Sequence, residues 1–467
     1  MTDLLLTHAL GLLGFALAVV ATVHMLAQRR SPQSATAWLV AMFVFPWVGV
    51  PLYLAFGGRK MRELMDAKAD LELGRAPEPE RPTGRSPTAA TLCALGIPAP
   101  HPGNAFRLHD DGRDAFRALD AALAGADRRI DYATFILADD AVGRAVLERL
   151  TAKARAGVEV RLLLDAVGSL PLSRASLAPL AAAGGRIAHF MPVLHRPFRG
   201  RTNLRNHRKI VVVDGAEVWT GGRNTAADYL AADEREPPWI DLSCSLRGPA
   251  CAIYADVFEA DWRFAAGARR GPPDGRRPAP AGSGAPRPVG DALVQVVPSG
   301  PDTPNDALLA ALVGGVYAAR TRVWLVTPYF VPPDGLTDAL TLAARRGVDV
   351  RLVVPARSNH RLADWAREPH LAALVEAGAA VLLHPRMVHA KGAVLDADVG
   401  WLGSANLDER SLLLNFEIMT ALHGGAALDA LADRIDRLAA EGRCWSATGG
   451  RARRILESLA KTVAPLL

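Results

Sequence analysis

The chain has 467 residues, half of them hydrophobic and 22% charged, which excludes a wholly disordered protein and is enough for two or three domains. The formal net charge of +6 is compatible with anionic lipid or nucleic acid and diagnostic of neither. Four scattered cysteines, Cys93, Cys244, Cys251 and Cys444, form no CxxC pair, which argues against a disulfide scaffold or zinc ribbon and for reduced thiols in a cytosol-facing domain.

Leu4 to Leu26 is apolar apart from Thr7, His8, Thr22 and His24, and its 23 residues suffice to cross ~30 Å of hydrocarbon. Ala35 to Phe56 is a second run without formal charge, interrupted by Pro46, Gly49 and Pro51, so residues 1–58 read as a two-helix transmembrane hairpin. A cleaved secretory signal is argued against by the missing basic n-region and by the second run, which follows after only eight residues. Arg29 and Arg30 lie between the runs, and Arg59, Lys60, Arg62 and Lys68 follow them, which favours both ends of the hairpin in the cytoplasm.

Residues 59–104 read as a juxtamembrane helix (59–73) and a Pro/Gly linker, 105–266 as a first globular domain, 267–290 as a Pro/Gly/Arg linker, and 291–467 as a second globular domain. The two domains look alike. "RIDYATFIL" (129–137), a helical stretch at 142–155 and "GVEVRLLLD" (157–165) match "RVWLVTPYF" (322–330), a helical stretch at 335–346 and "GVDVRLVVP" (347–355). Each set predicts a right-handed β-α-β unit on a buried parallel sheet, and so an internally duplicated α/β protein.

A second repeat carries the chemistry. "NHRKIVVVDGAEVWTGGRN" (206–224) is matched by "VHAKGAVLDADVGWLGSAN" (388–406), the centres of two motif regions, 201–228 and 383–410. His207, Lys209, Asp214, Gly221 and Asn224 recur 182 residues later, without a gap, as His389, Lys391, Asp396, Gly403 and Asn406. With six lysines and twelve histidines in the chain, one such HxKxxxxD is a chance event of order ~1% and two in register are far rarer. His and Lys two apart on a strand share a face. Converging pairs of His, Lys and Asn suit a phosphodiester: ammonium groups neutralise non-bridging oxygens, one His attacks phosphorus and the other protonates the leaving alkoxide. No metal or other cofactor is called for, and no HExxH, EF-hand loop or carboxylate cluster is visible. Asn224, Asn406, Ser404 and the backbone at Gly222 are candidate phosphate-binding positions. Asp214 and Asp396 belong to the motifs, but their places before turns suit fixing strand ends and the interface better than touching phosphate.

These paired motifs resemble the HKD motifs of the phospholipase D superfamily and, with the apolar N-terminal runs, its bacterial cardiolipin synthases. "AWLVAMFVFPWVGVPLYLAFGG" (37–58), "TPYFVPP" (327–333) and "GSANLDERSLLLNFE" (403–417) add to the resemblance. It implies a duplicated α/β/α sandwich with mixed sheets and motifs meeting at a pseudo-two-fold interface. It also implies transfer of a phosphatidyl group from one phosphatidylglycerol to another through phosphatidyl-histidine, with release of glycerol. In that scheme His207 is the nucleophile and His389 the acid and then base, although the near-symmetric motifs leave the order open. Glu417 in "NFE" and Asp241 in "WIDLSCSLRGP" are the matching histidine-orienting carboxylates. The first repeat has Gly222 where the second has Ser404, so one hydroxyl is missing. The implied partner is phosphatidylglycerol in a bacterial inner membrane, reached by a multi-pass protein with cytoplasmic catalytic domains; phosphatidylethanolamine is a second possible donor.

Other residues have plainer readings. His195 and His360 read as ordinary surface or buried histidines, Tyr329 as sheet core ending near the site, "RRGPPDGRR" (269–277) as a solvated loop, and Asp139 and Asp140 as a turn or helix cap. A phospholipase D-type hydrolase yielding phosphatidic acid is the competing function, differing only in whether water enters second. A nuclease of the same superfamily is disfavoured by the membrane runs and by the lack of an aromatic-interleaved basic groove. A non-catalytic relic is disfavoured by the intact motifs.

Overall fold

The computed structural model describes residues 2–26, 32–56, 86–191, 204–230, 237–267 and 288–446. The juxtamembrane helix expected at 59–73, His195 and the loop 269–277 lie outside these residues.

In the first half the strands are β1 (His101–His109), β2 (Arg129–Thr134), β3 (Glu159–Asp165), β4 (Arg186–Phe190), β5 (Ile210–Val213), β6 (Glu217–Gly221) and β7 (Ser243–Arg247). In the second they are β8 (Ala292–Ser299), β9 (Arg322–Val326), β10 (Phe330–Val331), β11 (Asp349–Pro355), β12 (Ala380–His384), β13 (Gly392–Leu395), β14 (Val399–Gly403), β15 (Leu407–Asp408), β16 (Glu417–Leu422) and β17 (Arg443–Cys444). Across the first half the order is β1-β7-β6-β5-β2-β3-β4, and across the second β8-β16-β14-β13-β9-β11-β12-β17. The duplication thus extends to the whole strand order, with β17 as an addition. β1 and β8 pair antiparallel, so among the described residues the two halves share one 15-stranded mixed sheet.

The β-α-β units form as the sequence pattern requires. β2–β3 and β9–β11 are parallel pairs, and each intervening helix ends at a glycine with positive φ, Gly157 (89°) and Gly347 (83°), a conformation glycine adopts without penalty. Asp140 caps the first of these helices by accepting from the N–H of Gly143 at 2.9 Å, the plain reading of that residue. Helices cover both sheet faces. Cys251–Ala265 and Gly425–Glu441 bury their apolar stripes in a core shared by both halves, Leu428, Leu431, Ile435 and Leu438 recurring at helical spacing. On the opposite face each half has its own core, the first under helices such as Ala141–Arg155 and the second under Ala307–Ala318 and Asp334–Arg345.

Three expectations change. First, the run 322–330 is not one strand: it stops at Val326 and resumes as β10, which pairs with β15 in a separate two-stranded sheet. Second, the stretch up to 104 is not all linker. Ser86 caps a helix at Pro87–Ala94 that buries Leu92 in the second half's core, and Ser86 Oγ donates to Asp398 at 3.0 Å. Proline at the first helical position hides this helix among breakers, although proline there is favourable. β1 starts at His101 and absorbs Pro102 and Gly103 in a register shift against β8. Third, the second apolar run is not one spanning helix. It forms Pro32–Val44 and Pro46–Phe56, of 13 and 11 residues, each shorter than the ~20 needed to cross a bilayer. Leu5–Leu26 is, among the described residues, the one helix long and apolar enough to cross.

Candidate active site

Both motif histidines lie just before a strand rather than on it, and the backbone there reaches across to the other half. The N–H of His207 donates to the carbonyl of Phe416 at 2.9 Å, and that of His389 to the carbonyl of Ile240 at 2.7 Å. The next residues after those carbonyls are Glu417 and Asp241. Each carboxylate therefore meets the histidine of the opposite repeat: His207 Nδ1 to Glu417 Oε2 at 2.9 Å, and His389 Nδ1 to Asp241 Oδ2 at 2.6 Å. His207 Nδ1 also lies 3.1 Å from the carbonyl of Ser404, so both its partners are acceptors and Nδ1 carries the proton. That leaves Nε2 with the lone pair a nucleophile needs.

Each lysine curls back on its own motif. Lys209 Nζ donates to the carbonyl of His207 at 2.7 Å and Lys391 Nζ to that of His389 at 2.5 Å; Lys391 also stands 3.0 Å from His389 Nε2. The two ammonium groups are near enough to feel each other and both carboxylates. All six side chains are buried. Burial, the largest influence, pushes both lysines down, Lys391 to about 8 and Lys209 well below the usual value. His389 is pushed down to about 3, first by burial and then by the adjacent Lys391 charge. Burial acts to raise both carboxylates, but cations outweigh it: His207 and Lys209 for Glu417, and Lys391 and His389 for Asp241, so both stay below their usual values. The site thus sets two ionised carboxylates and two neutral imidazoles around two desolvated lysines, whose charged forms an anion between them would favour.

The structure separates the remaining sequence candidates. Ser404 Oγ donates to Glu417 Oε2 at 2.5 Å, so this hydroxyl braces the carboxylate rather than facing phosphate. A Cβ at Gly222 would overlap the Asp241 carboxylate, so the glycine there makes room for the acid. The missing hydroxyl of the first repeat is therefore a packing requirement. Asn224 accepts from the N–H of Ile136 at 3.3 Å and bonds Tyr229, whose ring centroid lies 4.8 Å from that of His389. Asn406 bonds Asp408 and keeps a buried side-chain oxygen without a hydrogen-bond partner.

Asp214 and Asp396, counted with the catalytic set from the motifs, are placed elsewhere. Each has φ of 52°, which aspartate tolerates in a turn. Asp214 accepts from the backbone N–H groups of Asp127, Arg128 and Arg129, and Asp396 from those of Arg320, Thr321 and Arg322. Extended chain separates each from its motif histidine by roughly 20 Å, out of reach of a shared phosphate. They tie the start of β2 or β9 to the end of β5 or β13, within one half.

Two buried arginines were not singled out in the sequence. Arg208 Nε donates to the backbone carbonyl of Glu417 at 3.0 Å and its other nitrogens engage Asp261 and Asp302. Arg223 donates to the carbonyls of His109 and Asp241. Both fall inside the first motif where the second has Ala390 and Ala405, a break in the repeat that would have marked them. Tyr329 donates to Asn359 at 2.5 Å and packs at a tilt against His360, with ring centroids 5.3 Å apart. Among the described residues no group of three or more His, Cys, Asp and Glu is arranged to hold a metal ion.

The sequence matches the family described as cardiolipin synthase, phospholipase D-like domain, over residues 119–262 and 316–439. The chain belongs to this family. Residues 16–58 match a second family, the phospholipase D-nuclease N-terminal region. Cardiolipin synthase A of Pseudomonas aeruginosa is 35% identical over 430 residues, covering 89% of this chain and 85% of the relative. Cardiolipin synthase A of Pseudomonas entomophila is 31% identical over 466 residues, covering 97% and 95%. The fold is also that of the phosphatidylserine synthase of Haemophilus influenzae, with a TM-score of 0.60 at 15% identity, covering 81% of this chain and all of that one.

Proposed function

We propose that the protein is a phosphatidyltransferase that makes cardiolipin from phosphatidylglycerol. The observation that carries the mechanism is the crossed pairing of each histidine with the other repeat's carboxylate, which puts two imidazoles and two ammonium groups in one buried cluster. His207 Nε2 attacks phosphorus, the bond from phosphorus to the glycerol headgroup oxygen breaks, and His389 gives that oxygen its proton. The terminal hydroxyl of a second phosphatidylglycerol then attacks phosphorus, His389 takes the hydroxyl proton, and the bond to His207 breaks. Two phosphatidylglycerols become one cardiolipin and one glycerol.

The lysines bear the non-bridging oxygens and lower the barrier by holding developing charge in a dry site. Burial and, after it, the adjacent Lys391 charge keep His389 deprotonated; a bound phosphate anion offsets the second of these, so the substrate itself helps load the acid with its proton. Asn224 and Asn406 are the candidate orienting amides. The proposed setting is a bacterial inner membrane, with the catalytic domains cytoplasmic and the phospholipid drawn from the bilayer.

Purified full-length protein incubated with phosphatidylglycerol vesicles, with products identified by mass spectrometry, tests this reading. Cardiolipin with an equal amount of glycerol supports it. Phosphatidic acid as the main product replaces it with hydrolysis. Adding phosphatidylethanolamine and looking for ethanolamine release identifies the second donor.

A further inference from the structure

Contacts among the three N-terminal helices define how the chain enters the membrane. Thr2–Leu26 is about 37 Å long, enough to span. One of its faces, Gly14, Ala18, Ala21 and Met25, is buried by the next two helices. Near its C-terminal end His24 Nδ1 lies 2.9 Å from Tyr53 Oη, and the Tyr53 ring packs on Trp38 with centroids 5.5 Å apart. Nine residues earlier Phe15 packs on Phe43 at 5.7 Å, and ten residues earlier a Cβ at Gly14 would lie 3.1 Å from Pro46 and 3.3 Å from Trp47.

Helix Pro32–Val44 therefore runs back along the first helix, the chain reverses at Phe45–Pro46, and Pro46–Phe56 returns. Trp38 and Tyr53 could not touch in a continuous helix, where fifteen residues separate them by about 22 Å. Gly49 lies so close to Ala41 that a Cβ would overlap its carbonyl, as expected of a tight reversal. The turn covers about 15 Å of the first helix, half the ~30 Å hydrocarbon thickness. Backbone donors at the reversal are paired within it: Phe45 N–H donates to Ala41 at 3.1 Å, Val48 and Gly49 donate to Phe45 at 3.0 and 2.6 Å, and Pro46 has no N–H. That is the condition for a turn at membrane depth. Outward residues such as Phe45 and Val48 are 65% and 59% exposed, as lipid contacts require.

We infer that the second and third helices form a re-entrant hairpin that dips into one leaflet and exits on the side it entered, so that the chain crosses the bilayer once. The start of the first helix then lies on the opposite side from the catalytic domains. Charge supports this independently. Residues 1–28 contain no Lys or Arg, whereas Arg29, Arg30, Arg59, Lys60, Arg62 and Lys68 all fall on the catalytic side. A two-span hairpin would split these six between the two faces; a re-entrant one collects them on the cytoplasmic face. The inference rests on the proposal that the first helix spans the membrane.

Cysteine accessibility tests it in the full-length protein carrying Cys444→Ser, which removes the exposed thiol. Thr2→Cys or Ser31→Cys is added, and a membrane-impermeant maleimide is applied to spheroplasts before and after permeabilisation. Label above the Cys444→Ser parent is scored, and cardiolipin formation confirms that each variant folds. The expected result is labelling of Thr2→Cys in intact spheroplasts, with Ser31→Cys and, in the unsubstituted chain, the exposed native Cys444 both labelled only after permeabilisation. Opposite faces reported by Ser31→Cys and the native Cys444 overturn the inference alone. Labelling of neither Thr2→Cys nor Ser31→Cys before permeabilisation overturns the membrane-spanning reading as well.

Discussion

The two histidine–carboxylate corners share a plan and differ in detail. At one, His207 is backed by Glu417, which Ser404 braces; at the other, His389 is backed by Asp241, which fits because position 222 is glycine. The longer acid comes with a hydroxyl and the shorter acid with a space. The repeat thus maintains a histidine–carboxylate distance of 2.6–2.9 Å by two different solutions, and residue identity at a matched position can be misleading where the contact is not.

The comparison is broken most severely at the histidines. His207→Ala and His389→Ala are each expected to lower cardiolipin formation by about 10⁴-fold or more. The two should differ in a covalent trap. With phosphorus-labelled phosphatidylglycerol, His389→Ala retains label on the protein and His207→Ala does not; the opposite result exchanges the two roles. Next, Glu417→Gln and Asp241→Asn remove the negative charge behind each imidazole and should each cost about 10³-fold in kcat with little change in KM.

Exchanging the two solutions sharpens the contrast. Gly222→Ser forces a Cβ into Asp241 and should cost about 10²-fold, whereas Ser404→Gly loses one hydrogen bond to a charged group and should cost about 10-fold. Equal effects would mean that the corners are interchangeable. In pH profiles, Lys391, pushed down to about 8, loses its charge as pH rises through that value, so kcat/KM should fall on the alkaline side. Lys391→Arg should move that limb upward even if the rate is lower. The smallest catalytic effect is expected at the strand ends. Asp214→Asn and Asp396→Asn should leave kcat close to wild type and lower stability by about 1–2 kcal/mol each in urea melts. Both carboxyls are held below their usual value, so the wild-type advantage is present at neutral pH and disappears on acidification through that lowered value.

The sequence revealed most of this where a signal repeats. The 182-residue register exposed the histidines and lysines, and the looser β-α-β match exposed the duplication, because duplication makes the same physical demand twice. Glu417 and Asp241 came from resemblance, since nothing local in "NFE" or "WIDL" says which histidine each will meet. That pairing depends on how the halves dock. Arg208 and Arg223 went unnoticed because buried guanidiniums look like surface arginines until their carbonyl and carboxylate partners are seen. The helix at Pro87–Ala94 and the reversal at Pro46 were both misread from prolines, read once as linker and once as a mere kink, when proline was starting a helix.

The exchange of carboxylates between repeats has a further consequence. A lone copy of the repeat owns a histidine and an acid that cannot meet, so an unfused ancestor works only as a two-fold homodimer. In such a dimer both corners are encoded by the same residues and must be identical. Joining two copies in one polypeptide lifts that obligation, and the Glu–Ser and Asp–Gly corners are a divergence it permits.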